Sequence, residues 1–207
     1  MWGFLFSANW YTLYTNVGRT TSERIIAAAR SIFEREGAQA VSMRRIASAV
    51  GITPMAIYKH FPDREALLNA IVDAGFQELR ARYLKPNRLS PGKYLMYLLD
   101  EYLEFALEHP RLFEYMFSAP RPGARQFPRD FVAGKSPTAT VVAAQVHRAM
   151  EAGTLRRDDV WEVEMAAAGL AHGLIVLYLG GRSHLAPAKF RQFYRRSLRR
   201  LMHGLAS

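Results

Sequence analysis

Ser42-Met43-Arg44-Arg45-Ile46-Ala47-Ser48-Ala49-Val50-Gly51-Ile52-Thr53-Pro54-Met55-Ala56-Ile57-Tyr58-Lys59-His60-Phe61 is the stretch on which the fold of this chain turns. Ser42 is a hydroxyl cap, and Met43, Ile46, Ala47 and Val50 then recur at three- and four-residue steps, which is the apolar stripe of a short helix. Gly51 stops it. Thr53-Pro54 starts a second helix, because proline suits the first helical position, where its missing N–H is no loss, and it pushes Thr53 into the extended conformation of an N-cap. Ile57 and Phe61 face inward, leaving Pro54, Met55, Ala56, Tyr58, Lys59 and His60 outward. Two short helices joined by a glycine turn make a helix-turn-helix, a unit whose second helix enters the major groove of duplex DNA.

The flanks fit that unit. Upstream, Thr20 and Glu23 stand at capping-box spacing. Ile25, Ile26, Ala29, Ile32 and Phe33 line one face of the helix that follows, and Gly37 predicts a left-handed C-cap. Downstream, Pro62-Asp63 breaks and recaps the chain for a longer helix carrying Leu67, Leu68, Ile71, Val72, Phe76 and Leu79. Lys85-Pro86-Asn87 and Ser90-Pro91-Gly92 bracket a linker and place a domain boundary there. Helices are then expected over 93–108, 111–118, 137–152, 158–180 and 187–204, with a long Pro- and Gly-punctuated loop over 119–136. No strand-like alternation appears. The fold class is therefore all-α: an N-terminal three-helix domain over 19–84 with the helix-turn-helix, and a C-terminal helical domain over 91–207.

The bulk numbers narrow the function. A formal charge of +10 on 207 residues favours an anionic partner. No acidic residue follows Glu164, so the C-terminal stretch is purely basic. The absence of cysteine excludes a disulfide scaffold, a cysteine zinc site and a thiol nucleophile, and suits a reducing cytoplasm. Residues 1–18 carry no charge and include Trp2, Phe4, Phe6, Trp10, Tyr11 and Tyr14. They lack the basic start and aliphatic core of a signal peptide, and the expectation is a poorly ordered aromatic extension. No membrane association is expected. Enzyme signatures are missing: Gly134-Lys135-Ser136 has neither the upstream glycine nor the strand of a phosphate loop, and there is no nucleophile elbow.

The stretch Ile25 to Leu68 resembles the TetR family. The resemblance is carried by Ala28-Ala29, Phe33 and Gly37, by Ser42-Met43-Arg44-Arg45-Ile46-Ala47, by Gly51-Ile52-Thr53, by Ile57-Tyr58-Lys59-His60-Phe61 and by Arg64-Glu65-Ala66-Leu67-Leu68. It implies that Arg44 reaches bases or phosphates and that Thr53 caps the recognition helix and bonds a phosphate. Pro54, Met55 and Ala56 would face base edges, where apolar contact with thymine methyls is available. Tyr58 and His60 would bond the DNA backbone, and Lys59 a phosphate or guanine edge. Arg64, where the family usually has Lys, would keep a positive charge near the backbone. The Pro54-Met55 pair departs from the small residues usual at the head of this helix. Tyr58 has a second reading as a packing residue, His60 as a residue serving the helix dipole, and Arg45 reads as a solvated charge.

For the C-terminal half the resemblance implies dimerisation and a small-molecule effector. Trp161 followed by His172-Gly173 resembles a TetR subclass marked by those residues. Small residues from Ala166 to Gly173 permit close helix approach, so the helices at 158–180 and 187–204 are expected to pair with their twins in a homodimer. Tyr97, Tyr102, Phe105, Phe113, Met116 and Phe117, with His172 as a polar group, are candidates to line an apolar pocket, each having a second reading as plain core. No histidine spacing suggests a metal site, and no cofactor is implied. The basic run from Arg182 to Arg200 reads as the solvated face of a dimerisation helix. The resulting expectation is a repressor released from a palindromic operator on double-stranded DNA by an effector. The other reading of the same charge is a basic helical DNA-architectural protein that needs no effector.

Overall fold

The computed structural model describes residues 20–85, 88–118 and 120–206; the aromatic extension at 1–18 and Pro86-Asn87 of the linker lie outside them. Helix α1 (Thr21–Glu36) begins as its sequence demands: the Thr20 hydroxyl accepts from the Glu23 amide at 3.2 Å while the Glu23 carboxylate accepts from the Thr20 amide at 2.7 Å. Ile25, Ala29, Ile32 and Phe33 are buried. Gly37 has the positive φ of a C-cap (85°), but its ψ of 175° is extended rather than left-handed helical, and the chain passes straight into a 3₁₀ turn at Ala38–Ala40.

Helix α2 (Met43–Val50) is capped by Ser42 and closed by Gly51 in the left-handed conformation (φ 75°, ψ 37°), which a side chain there would strain. Helix α3 (Pro54–Tyr58) has only five residues. It packs through Ile57, fully buried, while α1 and α2 pack on each other and α2 on α3. Helix α4 (Arg64–Tyr83) starts from an Asp63 cap, whose carboxylate accepts from the Ala66 amide at 2.7 Å, and every apolar position expected inward is buried.

Packing divides the chain into two compact units, the first ending at Ile71 and the second beginning at Val72. The division thus falls inside α4, and not at the Lys85–Gly92 linker. The reason is that the second half of α4 belongs to the second core: Phe76 packs edge-on against Phe117 at 5.3 Å.

The second unit continues with α5 (Pro91–Glu108), α6 (Pro110–Phe117), α7 (Arg129–Val132), α8 (Ala139–Glu151), α9 (Val160–Leu179) and α10 (Pro187–Gly204). Helix α5 is central, packing against α6, α8, α9 and α10. The stretch read as loop contains α7, which the Pro and Gly content conceals. It is held by Asp130, whose nearly buried carboxylate accepts from the Gln126 amide at 2.9 Å and from Arg129 and Lys135 at 3.2 Å each. Those bonds hold the Asp130 carboxyl well below the usual carboxylate range.

Helix α10 is clamped to α5: Arg191 grips Glu104 through two bonds of 2.7 and 2.6 Å, Arg195 meets Asp100 at 2.8 Å, and the buried Tyr194 hydroxyl donates to the Leu99 carbonyl at 2.7 Å. Two members of the basic run are therefore ion-paired within the chain. Helix α9 buries Val163, Ala167, Ala171 and Ile175, yet Val176 and Leu177 remain exposed, and a Cβ built on Gly169 or Gly173 meets nothing within 4 Å. Among the described residues α9 is also long and apolar enough to cross a membrane by length and composition alone.

Candidate nucleic-acid interface and ligand cavity

The outward face of α2 and α3 is built by caps. Thr53 is extended (φ −78°, ψ 151°), and its hydroxyl accepts from the Ala56 amide at 3.2 Å. That bond uses an oxygen lone pair and leaves the hydroxyl proton free to donate outward. With Ile57 and Phe61 buried beneath, Arg44, Pro54, Met55, Tyr58, Lys59 and His60 are all exposed. Met55 is 69% and Tyr58 48% exposed, large apolar surfaces that nothing in the unit covers. Tyr58 is thus no packing residue. Ala56 is half-buried, so its methyl group offers less surface than an outward reading implies.

Arg64 departs from its expected role. It is half-buried, and its guanidinium donates to the Val41 carbonyl at 2.9 Å and to the Ala38 carbonyl. A planar fork fits two neighbouring carbonyls where an ammonium would satisfy one at a time. Arg64 is a brace for the 3₁₀ turn that leads into α2, with part of its hydrogen-bonding capacity turned inward. Arg24 acts similarly at the other end of α2, donating to the Val50 carbonyl at 3.0 Å. Arg45 forms a two-bond ion pair with Glu36 at the surface, an arrangement that contributes little to stability.

In the second unit a cavity of about 310 Å³ opens among α4, α5, α6, α8, α9 and the loop carrying α7. Tyr102, Met116, Phe117 and His172 line it, as their sequence positions suggest. Phe105 and Phe113 do not. Both are fully buried: Phe113 stands behind the wall, with its ring 5.4 Å from His172 and 5.1 Å from Tyr102, and Phe105 packs on His109 at 5.2 Å. His172 Nδ1 lies 3.1 Å from the Tyr102 hydroxyl and Nε2 lies 3.4 Å from Ser118 Oγ. Burial pushes its pKa down, favouring a neutral ring that donates through one nitrogen and accepts through the other.

The cavity also draws on residues that sequence reasoning missed. Phe76 and Tyr83 come from α4, Arg121 and Arg125 from the loop, and Glu164 from α9. The arginines were hidden in a segment that reads as solvated. Glu164 left a usable signal: with Ala168 and His172 it recurs at four-residue steps, so all three share one stripe of α9. Arg125 sits 4.9 Å from the Phe76 ring centre and donates to the Lys135 carbonyl at 2.8 Å.

Comparison with known proteins agrees with both units. Residues 25–71 match the family model described as bacterial regulatory proteins, tetR family, and residues 95–201 match that described as Tetracyclin repressor-like, C-terminal domain, which alone covers half the chain. The chain belongs to the TetR family. The chain is similar to the HTH-type transcriptional regulator UidR of Escherichia coli K12, at 38% identity over 66 residues. That match covers 32% of this chain and 34% of UidR, so the chain spans about a third of the length of this curated relative. A protein of unknown function from Rhodococcus sp. RHA1 shares the fold with a TM-score of 0.77 and 27% identity, over 93% of this chain and 98% of its own. The fold is shared too with RolR in complex with resorcinol, at a TM-score of 0.63 and 18% identity, over 90% of this chain and 87% of RolR. Within this TetR-family chain the exposed face of α2 and α3 lies in the first unit and the cavity in the second.

Proposed function

We propose that this TetR-family chain is a DNA-binding transcriptional regulator, a repressor whose hold on a palindromic operator is released by a small-molecule effector. The observation that carries the reading is the uncovered face of α3, where Met55, Tyr58, Lys59 and His60 stand exposed over the buried Ile57 and Phe61. Arg44, Thr53 and Tyr58 position the unit on phosphates, while Pro54, Met55 and Lys59 meet base edges, so sequence is read by few residues. Arg64 and Ala56 support this face from beneath. The protein works in the cytoplasm, as a regulator and not as an enzyme.

The active species is a homodimer. The exposed apolar face of α9, with its open glycine positions, and the neighbouring α10 provide the surface for pairing with a second copy. Trp161, His172 and Gly173 support a reading of this half as the Trp/His-Gly subclass. Two recognition helices then address successive major grooves about 34 Å apart. The cavity takes the effector, as its aromatic walls and few polar groups suit, and the complex of the related fold with resorcinol supports a ligand of modest size. Effector binding favours a conformation with a different helix separation, and α4, which runs through the division between the units, is the lever.

The test is operator binding by Lys59→Ala and Tyr58→Phe. Each is expected to weaken binding by about five- to tenfold, the loss of one hydrogen bond or charge contact, while the thermal melt stays unchanged. Undiminished binding by both variants would remove this face from the interface.

A further inference from the structure

The cavity contains an acid that the protein does not neutralise. Glu164 is 3% exposed, lines the cavity, and has one carboxylate oxygen buried with no hydrogen-bond partner. Burying such a group unpaired is expensive unless something else completes it. From α4 and α5 come the phenols of Tyr83 and Tyr102; from α9 itself comes His172, held towards neutral by burial. Thr138, which precedes α8, and Ala139 and Val142 of α8 carry no charge. The loop brings Arg121 and Arg125 to the same cavity; Arg125 is engaged with Lys135, Asp73 and the Phe76 ring, and neither arginine gives the buried Glu164 Oε2 a hydrogen bond. Burial alone pushes the Glu164 carboxyl up to about 7.

On the reading of this cavity as the effector site, we infer that Glu164 makes it selective for organic cations: apolar, ring-bearing molecules with a protonated nitrogen that the carboxylate takes as its partner. The walls fit that class. Phe76, Tyr83, Tyr102, Phe117 and Phe131 supply aromatic faces, which attract a desolvated cation as well as an apolar ring. A neutral hydroxyl would satisfy the orphan oxygen with a weaker bond, because charge-assisted hydrogen bonds are about twice as strong as neutral ones. An anion would meet Glu164 as a like charge and would have to take Arg121 or Arg125 as its partner instead.

Three probes of nearly one shape separate these cases: 1-naphthylmethylamine, 1-naphthalenemethanol and 1-naphthoic acid, titrated calorimetrically into the full chain. The amine is expected to bind at least about tenfold more tightly than the alcohol and the acid, and Glu164→Gln to bring amine and alcohol to parity. Amine affinity is also expected to fall about tenfold from one pH unit above the Glu164 midpoint to one below, as the carboxylate takes up its proton, with the alcohol unaffected. A cavity that prefers the naphthoate, or that keeps its amine preference in Glu164→Gln, overturns the inference and leaves the effector cavity standing. Failure of all three probes to bind overturns the cavity reading as well. The comparison among probes on the unaltered chain needs no variant to fold.

Discussion

Glu164 and Arg64 are polar residues in half-apolar surroundings, and opposite logic governs them. Arg64 finds carbonyl partners inside its own unit; Glu164 does not. Because its folded-state pKa of about 7 lies above its ordinary 4.5, the folded chain holds this proton more tightly than the unfolded one. The resulting stability is complete below about 4.5 and is lost as pH rises through 7, a total of about 3 kcal/mol. In urea melts the difference between the wild-type chain and Glu164→Gln should change by about that amount across the window, with the variant relatively more stable above pH 7. A difference that stays flat would place Glu164 in water. Arg64→Ala is expected to cost about 1–2 kcal/mol and Arg64→Lys to recover only part of it, since one ammonium cannot reproduce the fork. Full recovery by Lys would reduce Arg64 to a charge.

At the scale of elements, Gly75 shows how closely α4 approaches α6. A Cβ built there lies 2.6 Å from the Met116 sulfur and 3.2 Å from a Leu112 methyl. Met116 is flexible and lines the cavity, so Gly75→Ala is expected to push the thioether into the ligand space. Helix propensity gains up to about 1 kcal/mol from the change. Stability should therefore shift little while probe affinity falls several-fold; a stable variant with undiminished affinity would contradict this arrangement of the wall. The same elements show what was legible in sequence. The capping box of α1, the Ser42 and Thr53 caps and the inward stripe of α4 are local rules, readable from residues three or four apart. Helix α7 was not readable, because its hold is a single carboxylate reaching backwards and forwards along a Pro-rich segment. Phe105 and Phe113 could not be told from wall residues, because apolar periodicity marks the inward face but not the depth behind it. The inward bonds of Arg64 were not legible for a related reason: its partners at Ala38 and Val41 stand more than twenty residues away.

For the whole molecule, the basic charge divides into parts with different duties. Arg191 and Arg195 are consumed in clamping α10 to α5, whereas Arg182, Lys189, Arg196, Arg199 and Arg200 remain exposed. Charge alone would serve an architectural DNA-binding protein equally well; what such a protein does not need is a ligand cavity, or the exposed apolar face of α9 as a surface for pairing with a second copy. Light scattering after size exclusion should give twice the chain mass at micromolar concentration, and Leu177→Glu, which puts a charge on the exposed face of α9, should shift it to monomer and abolish tight operator binding. A monomeric wild-type chain would contradict the pairing. The most direct test of the central claim is fluorescence anisotropy, comparing a duplex recovered by genome-wide footprinting with a scrambled duplex of the same length and salt. A sequence-reading regulator predicts a preference of about 10³ or more, and a preference below about tenfold would mark a protein that holds DNA without reading it.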